Sequence, residues 1–292
     1  MEKIYFTKMS GAGNDFIIID EKQMQDKQIG FSLNSEIISK LCDRRNGIGA
    51  DGVITISDLD NYDFKMDYYN ADGSTKTLCG NGARCAIKFA QGSKRLKNGK
   101  ASFVANDGVY SGEILGSEKV KFNLNEPKNI ISNLRIDAAG QNINYYFVDT
   151  GSPHVIIKIE DILKNPLNKS SFYTNINELP VVEIGREIRY HNNFLPGGTN
   201  VNFIKIIENK IAIRTYERGV EDETLACGTG SAASAVIAVL FNSMKLPVVL
   251  LTKGGEELIV DFKVEDNSIK CLSLSGPAKI IYTGNFLLKT FS

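Results

Sequence analysis

No run of 18 uninterrupted apolar residues occurs in the 292-residue chain, so a helical membrane span is not expected and the protein reads as soluble. Its 34 basic and 34 acidic residues cancel, which leaves no electrostatic footprint for nucleic acid or an anionic membrane. No basic-apolar leader or Arg-rich transit segment precedes the strand-like alternation of Met1-Glu2-Lys3-Ile4-Tyr5-Phe6, so a cytoplasmic location is expected. Cysteines are few and odd in number: Cys42, Cys79, Cys85, Cys227 and Cys271. An odd set without a secretion signal argues against a disulfide framework and for a reducing compartment. There is no Cys-x-x-Cys pair, and the two histidines, His154 and His191, lie far apart in sequence. Neither pattern resembles a zinc site, and no metal is expected. The Gly-Lys-Ser/Thr ending of a phosphate loop is also missing.

What is present is a design used twice. Cys79-Gly80-Asn81-Gly82-Ala83-Arg84-Cys85 places a cysteine before a glycine turn and a small-residue helix start, and Cys227-Gly228-Thr229-Gly230-Ser231-Ala232-Ala233 repeats it. A helix starting there aims unpaired N–H groups and the positive end of its dipole at the cysteine and at any anion beside it. That environment favours the thiolate. Three further blocks recur in the same order at similar offsets. Gly13 to Asp20 resembles Gly151 to Ile157, Gly47 to Ile56 resembles Gly198 to Ile207, and the turn Asn106-Asp107-Gly108 faces Lys253-Gly254-Gly255. The shared order points to two half-chains of one fold, with a boundary in the Asn-, Pro- and Gly-rich stretch near 123–142. Short strands are expected over Lys3–Lys8, Phe16–Asp20, Val53–Ser57, Phe64–Tyr69, Ala101–Ala105 and Val120–Leu124. In the second half they are expected over Tyr145–Asp149, Val155–Ile159, Val201–Ile207 and Lys210–Glu217. Helices are expected over Ser35–Cys42, Gly82–Gln91 and Gly230–Asn242. The last is apolar on nearly every side, which suits a helix inside a curled sheet.

Two cysteines facing one bound molecule from opposite sides make an acid–base pair. The thiolate removes a proton from carbon, and the thiol delivers one to the opposite face. Main-chain N–H groups of the glycine turns would stabilise the enediolate-like charge that grows as the proton leaves. Cys42, Cys85 and Cys271 lack this setting and read as small buried hydrophobes.

Lys8-Met9-Ser10-Gly11-Ala12-Gly13-Asn14-Asp15-Phe16, Asn70-Ala71-Asp72-Gly73-Ser74 and the first cysteine block resemble diaminopimelate epimerase, as does Tyr216-Glu217-Arg218-Gly219-Val220 running into the second block. The matches run in order from residue 8 to Tyr282. The Cys-Gly-Thr-Gly of the second block is shared with proline racemases and related epimerases. The resemblance implies an α/β (α+β) fold of two pseudo-symmetric domains, each a mixed, barrel-like β sheet wrapped around a central helix. Domains are expected over 1–128, with 278–292 returning to it, and over 129–277. It implies interconversion of LL- and meso-diaminopimelate in lysine and peptidoglycan precursor synthesis, without a cofactor, by a homodimer. Cys79 and Cys227 would be the acid–base pair. Gly80, Asn81, Gly228 and Thr229 would hold the reacting carboxylate. Asn14, Asn70, Ser152, Asn200, Glu217 and Arg218 would contact substrate, with His154 supporting and Tyr282 at the dimer contact.

On residue type alone, Asn14 and Asn70 also read as turn residues, Glu217-Arg218 as a surface ion pair, and His154 as a strand start. Three departures bear on recognition of the distal end of the substrate. Ser152 stands where the family has asparagine, Gly52 follows Asp51 where some members have glutamine, and Glu221-Asp222 adds one residue before the second cysteine turn. Rival readings are an epimerase for another amino acid, a redox protein switched through Cys79 and Cys227, and a non-catalytic binding protein.

Overall fold

The computed structural model describes residues 3–23, 33–75, 79–106, 108–266 and 268–287. Asp107 of the expected 106–108 turn and the last five residues of the expected return segment lie outside that set. The chain divides into two compact units, Met1–Asn123 with Ser275–Ser292, and Leu124–Leu274.

In the first unit the strands are β1 (Lys3–Gly11), β2 (Asn14–Asp20), β3 (Gly52–Ser57), β4 (Phe64–Asn70), β5 (Lys100–Ala105), β6 (Gly108–Ile114) and β7 (Lys119–Asn123). β1 lies antiparallel to β2, β2 parallel to β3, β3 antiparallel to β4, β4 parallel to β5, and β5 and β6 antiparallel to their successors. Each parallel pair is joined through a helix, as parallel crossovers require. α1 (Ser35–Cys42) links β2 to β3, and α2 (Gly80–Gly92) links β4 to β5. Asn34 starts α1 by accepting a hydrogen bond from the Ile37 N–H at 2.9 Å. α2 touches β1 to β4, β6 and β7, so the sheet wraps it, and the run Gly80 to Ile87 is buried throughout. The strands packed on both faces read as unbroken apolar runs, as in Phe16-Ile17-Ile18-Ile19.

The second unit repeats this topology. Its strands are β8 (Lys128–Ala138), β9 (Gln141–Asp149), β10 (Pro153–Lys158), β11 (Asn200–Ile207), β12 (Lys210–Glu217), β13 (Asp222–Thr224), β14 (Val248–Leu251), β15 (Glu257–Glu265) and β16 (Ser268–Pro277), of which the end from Ser275 on belongs to the first unit. β10 is parallel to β11, β11 antiparallel to β12, β12 parallel to β14, and β14 antiparallel to β15. α3 (Val181–Arg189) lies in the β10–β11 crossover and α4 (Gly228–Asn242) in the β12–β14 crossover. α4 touches β9 to β12, β14 and β15, which explains its nearly all-round apolar surface. The last strand, β17 (Lys279–Leu287), returns to the first unit and pairs antiparallel with β1, Lys8 opposite Tyr282.

The boundary expected near 123–142 falls at the start of that stretch, between Asn123 and Leu124, and the rest of it is mostly strand, with β8 in a hairpin with β9. Two expectations need correction. The second repeat block is displaced by three residues. The equivalent strand starts are Gly52 and Asn200, which stand opposite Phe16 and His154 in their parallel ladders. Cys271 is exposed. Its φ of 55° shifts the alternation of β16 by one residue, so the core positions pass from Ile269 to Leu272 and Leu274.

A glycine in the middle of α3 carries the contact with β12. A Cβ on Gly185 would lie 2.5 Å from the Tyr216 Cβ. Alanine normally favours a helix by about 1 kcal/mol over glycine. Here overpacking of about 1–3 kcal/mol outweighs that gain. Gly185→Ala is therefore expected to lower the urea midpoint, and an unchanged or raised midpoint would show that α3 is not pressed against Tyr216.

Candidate active site

The crossover rule places the expected site residues at one corner of each unit. β2 and β3 begin there, β4 ends there, and the short connection from β4 starts α2 at the same edge. The corner therefore gathers Asn14 at the start of β2, Asn70 at the end of β4, and Cys79-Gly80-Asn81 at the helix start. In the second unit the same positions hold Ser152 just before β10, Asn200 at the start of β11, Glu217 at the end of β12, and Cys227-Gly228-Thr229.

Cys79 is the N-cap of α2, and its sulfur accepts a hydrogen bond from the Gly82 N–H at 3.5 Å. Such a bond favours the thiolate. Beneath it, the Asn81 amide donates to Asn14 Oδ1 at 2.6 Å, and Asn14 Nδ2 donates to Asp51 at 3.1 Å. Asp51 and Asp15 exchange main-chain to carboxylate bonds and share Arg44. Burial works against ionisation of Asp15, but hydrogen bonds from Arg44 and Lys8 outweigh it and hold the carboxyl down at about 2. Asn70 is the turn residue its sequence suggested. It closes a turn through Ser74, with Nδ2 donating to Ser74 Oγ at 2.9 Å, and it stands opposite Gly52 in the ladder. At Gly52 a Cβ would sit 2.5 Å from the Tyr69 carbonyl oxygen, so the corner has no room for a glutamine there.

Arg84 lies inside the first cysteine block. Its guanidinium is fully buried in α2 and donates to Asn81 Oδ1 at 2.7 Å and to the carbonyls of Gly80 and Pro277. Burial pulls its pKa down to about 10, which still leaves it cationic at neutral pH. It thus orients Asn81, which in turn orients Asn14. An arginine within Gly-Asn-Gly-Ala-Arg-Cys-Ala, among residues small enough to be buried, was the available signal. Burial pushes the neighbouring Cys85 thiol up to about 12, and Cys42 likewise, so both stay protonated.

In the second unit, Asn200 donates to the Pro153 carbonyl at 3.0 Å and to Ser152 Oγ at 3.5 Å, and accepts the Arg218 main-chain N–H at 2.9 Å. Glu217 accepts from Thr224 Oγ1 at 2.8 Å. Arg218 is half-buried, and its main-chain N–H is held by Asn200. Cys227 is the N-cap of α4, buried, with Thr229 Oγ1 3.6 Å from its sulfur. His154 is fully buried inside β10. Its Nε2 lies 3.0 Å from both Ser152 Oγ and Thr229 Oγ1, and its Nδ1 lies 3.0 Å from Asn202 Nδ2. Asn202, an amide inside the apolar strand Val201 to Ile207, was not among the expected residues. A polar amide between Val201 and Phe203 was its signal.

Burial, then the charge of Arg218, pull the His154 pKa down to about 3. The unfolded chain therefore binds this proton and the folded chain does not. Stability from His154 is present above about pH 6.5 and is lost as pH falls toward 3, at up to about 1.4 kcal/mol per unit. Asp15 adds a loss of the same sign at lower pH. Urea unfolding between pH 4 and 7 is expected to show a shallower slope in His154→Gln than in the parent. Equal slopes would mean that the imidazole is solvated.

The diaminopimelate epimerase family model matches residues 6–130 and 146–281. A diaminopimelate epimerase of Chlorobaculum tepidum is 40% identical over 283 residues, covering 96% of this chain and all of the relative. One from Aquifex aeolicus is 39% identical over 289 residues, with 96% of each chain covered. Among solved structures, a PhzF-family phenazine biosynthesis protein of Bacillus anthracis aligns with a TM-score of 0.68 at 14% identity, over 99% of this chain and all of that one. A hydroxyproline epimerase of Agrobacterium vitis, with bound trans-4-OH-L-proline, aligns at 0.67 and 11% identity, over 98% of this chain and 93% of that one. The structural likenesses speak for the fold alone.

Proposed function

The chain belongs to the diaminopimelate epimerase family, and from that premise we propose that it interconverts LL- and meso-2,6-diaminopimelate by two-base proton transfer at one α-carbon. The observation that carries the mechanism is the pair of cysteines, each capping a buried helix at the same topological corner of its unit. The reaction requires the two sulfurs to address opposite faces of one carbon. One thiolate takes the α-proton while the other thiol returns a proton from the far side, so the centre inverts and the two cysteines exchange protonation states. The first-turn N–H groups of α2 and α4 have no carbonyl partner four residues back. They would receive the reacting carboxylate through Gly80-Asn81 and Gly228-Thr229, and stabilise the negative charge as it develops. Arg218 would pair with the distal carboxylate, and Asn14, Asn70, Ser152, Asn200 and Glu217 would fix the remaining polar groups of the substrate.

Cysteine suits this work because a thiol of reference pKa near 8.5 is drawn toward neutrality by a helix N-terminus. No external cofactor is needed for such a transfer. We place the activity in lysine and cell-wall precursor synthesis in the cytoplasm. No described helix is long and apolar enough to cross a membrane.

The deciding experiment is α-hydrogen exchange in heavy water. One centre of the substrate should scramble and take up deuterium, with no dependence on pyridoxal phosphate or metal. Retention of the α-proton during turnover, or a requirement for either cofactor, would overturn the mechanism.

We further propose a homodimer through the outer edge of the first unit. There Tyr282, Ile280 and Ile281 of β17 and Tyr5 of β1 are all exposed. Tyr282→Glu should reduce the sedimenting mass from dimer to monomer, and an unchanged mass would remove Tyr282 from the interface.

A further inference from the structure

The hydrogen bonds behind Cys227 have a fixed direction. Asn202 Nδ2 lies 3.0 Å from the Val155 carbonyl, which can only accept, so the amide nitrogen and not its oxygen must face that way. The oxygen then receives the Thr215 hydroxyl at 3.0 Å. The second hydrogen on Nδ2 points at His154 Nδ1, 3.0 Å away, which must therefore be unprotonated. The single imidazole proton sits on Nε2 and is shared by Ser152 Oγ and Thr229 Oγ1, each at 3.0 Å. Ser152 Oγ already accepts from Nε2 and from Asn200, which uses its two lone pairs and leaves its own proton for Thr229 at 3.4 Å. The Thr229 hydroxyl, accepting from both, has its proton left for the sulfur of Cys227 at 3.6 Å.

We propose that Asn202, set by Thr215 and the Val155 carbonyl, is a positioning residue for the Cys227 half of the reaction: it holds His154 as the Nε2–H tautomer and so makes Thr229 a hydroxyl donor to the Cys227 sulfur. A sulfur that receives a hydroxyl proton is stabilised as thiolate and released from that bond's benefit when it becomes a thiol. His154 works here as a neutral relay and not as a general base. All four relay positions lie in one unit, and Asn202, Thr215 and His154 are buried, so solvent does not reach the bonds that set the imidazole tautomer, while Ser152 and Thr229 are half-buried. Gly230 leaves the room they need, since a Cβ there would lie 2.2 Å from Asn202 Oδ1. The inference deepens the proposed epimerase mechanism and rests on it for its kinetic consequence, while its structural part stands separately.

The test has a spectroscopic arm and a kinetic arm. With two histidines in the chain, the imidazole nitrogens of His154 can be assigned by comparison with a His191→Gln protein. Two-bond proton–nitrogen spectra of the full-length protein between pH 6 and 8 should show His154 as a neutral ring protonated at Nε2. In Asn202→Asp, a carboxylate that accepts at Nδ1 should move the proton to Nδ1. A parent ring protonated at Nδ1 or doubly protonated, or an unchanged tautomer in folded Asn202→Asp, would overturn the proposal. For the kinetic arm, Thr229→Val keeps the shape and main-chain N–H of the residue but removes the donor. Its kcat should fall about 10–100-fold, the range seen when an outer hydrogen-bond partner is removed, with KM changed much less. Thr229→Ser should recover most of the loss. Parent-like kcat in Thr229→Val would also overturn the proposal. Absence of turnover on diaminopimelate by the parent protein would sink the proposed function and leave the tautomer result to decide the relay. If Asn202→Asp does not fold, the parent spectrum and the Thr229 pair still decide it.

Discussion

Replacing Cys79 or Cys227 by serine is expected to lower kcat for epimerisation by about 10²–10⁴-fold, the range for loss of a positioned acid or base, without lowering the melting temperature. The two halves of this expectation have separate causes. A serine hydroxyl ionises far above the thiol reference of about 8.5, so no helix dipole brings it to a usable alkoxide near neutral pH. Each substitution removes either the base or the acid in both directions of the reaction, since the roles exchange with the stereoisomer. For stability the sign is opposite. Serine is among the best N-cap residues, and both cysteines occupy N-cap positions. At position 79 the hydroxyl can take the Gly82 N–H that sulfur now accepts at 3.5 Å, a long bond that oxygen would shorten. At position 227 no side-chain cap bond exists to be lost. Steady-state kinetics beside thermal unfolding test both halves. A serine protein within tenfold of the parent kcat would remove that cysteine from the chemistry, and a melting temperature several degrees lower would show that it acts through the fold.

Gly230→Ala is expected to be damaging in both stability and activity, although alanine at the third residue of a helix ordinarily helps. The helix gain is about 1 kcal/mol. Against it, the new methyl would lie 2.2 Å from Asn202 Oδ1 and 3.3 Å from the Cys227 sulfur. Asn202 has nowhere to go: it is fully buried and bonded to Thr215, His154 and the Val155 carbonyl. Displacing it breaks at least one buried hydrogen bond, about 1–3 kcal/mol, in addition to the overpacking. The net loss is about 1–5 kcal/mol once the helix gain is subtracted. A misplacement near 1 Å at the sulfur lowers kcat by about 10²-fold. Chemical denaturation and kcat measured on the same protein check the pair. A stabilised, fully active Gly230→Ala protein would contradict the packing of α4 against β11.

Much of this was legible in advance because it is local. The two cysteine turns were visible because a glycine pair and a small-residue helix are neighbours in sequence, and the structure begins α2 and α4 two residues earlier than expected, at Gly80 and Gly228. Unbroken apolar runs such as Phe16 to Ile19 announced central strands. β8 was not among the expected strands because its polar, outward-facing alternation offers no apolar run, and its pairing with β9 depends on the partner strand. Cys271 was misread because a single left-handed residue changes which side of β16 faces inward.

The order of residues along the chain by itself determined the doubled architecture, the family, and which two sulfurs have helix starts beneath them, since each is carried by short motifs of neighbouring residues and by the order in which they recur. Only the tertiary structure decided that Arg84 is a buried cation holding Asn81, and that Asn202 and Thr215 stand behind His154. Asn202, Thr215 and His154 stand on three different strands, Arg84 shares α2 with Asn81 but is buried only by the strands around that helix, and the direction of a hydrogen bond depends on what every neighbouring atom can donate or accept. That condition exists once the sheet has closed around its helix, and no spacing in the sequence records it.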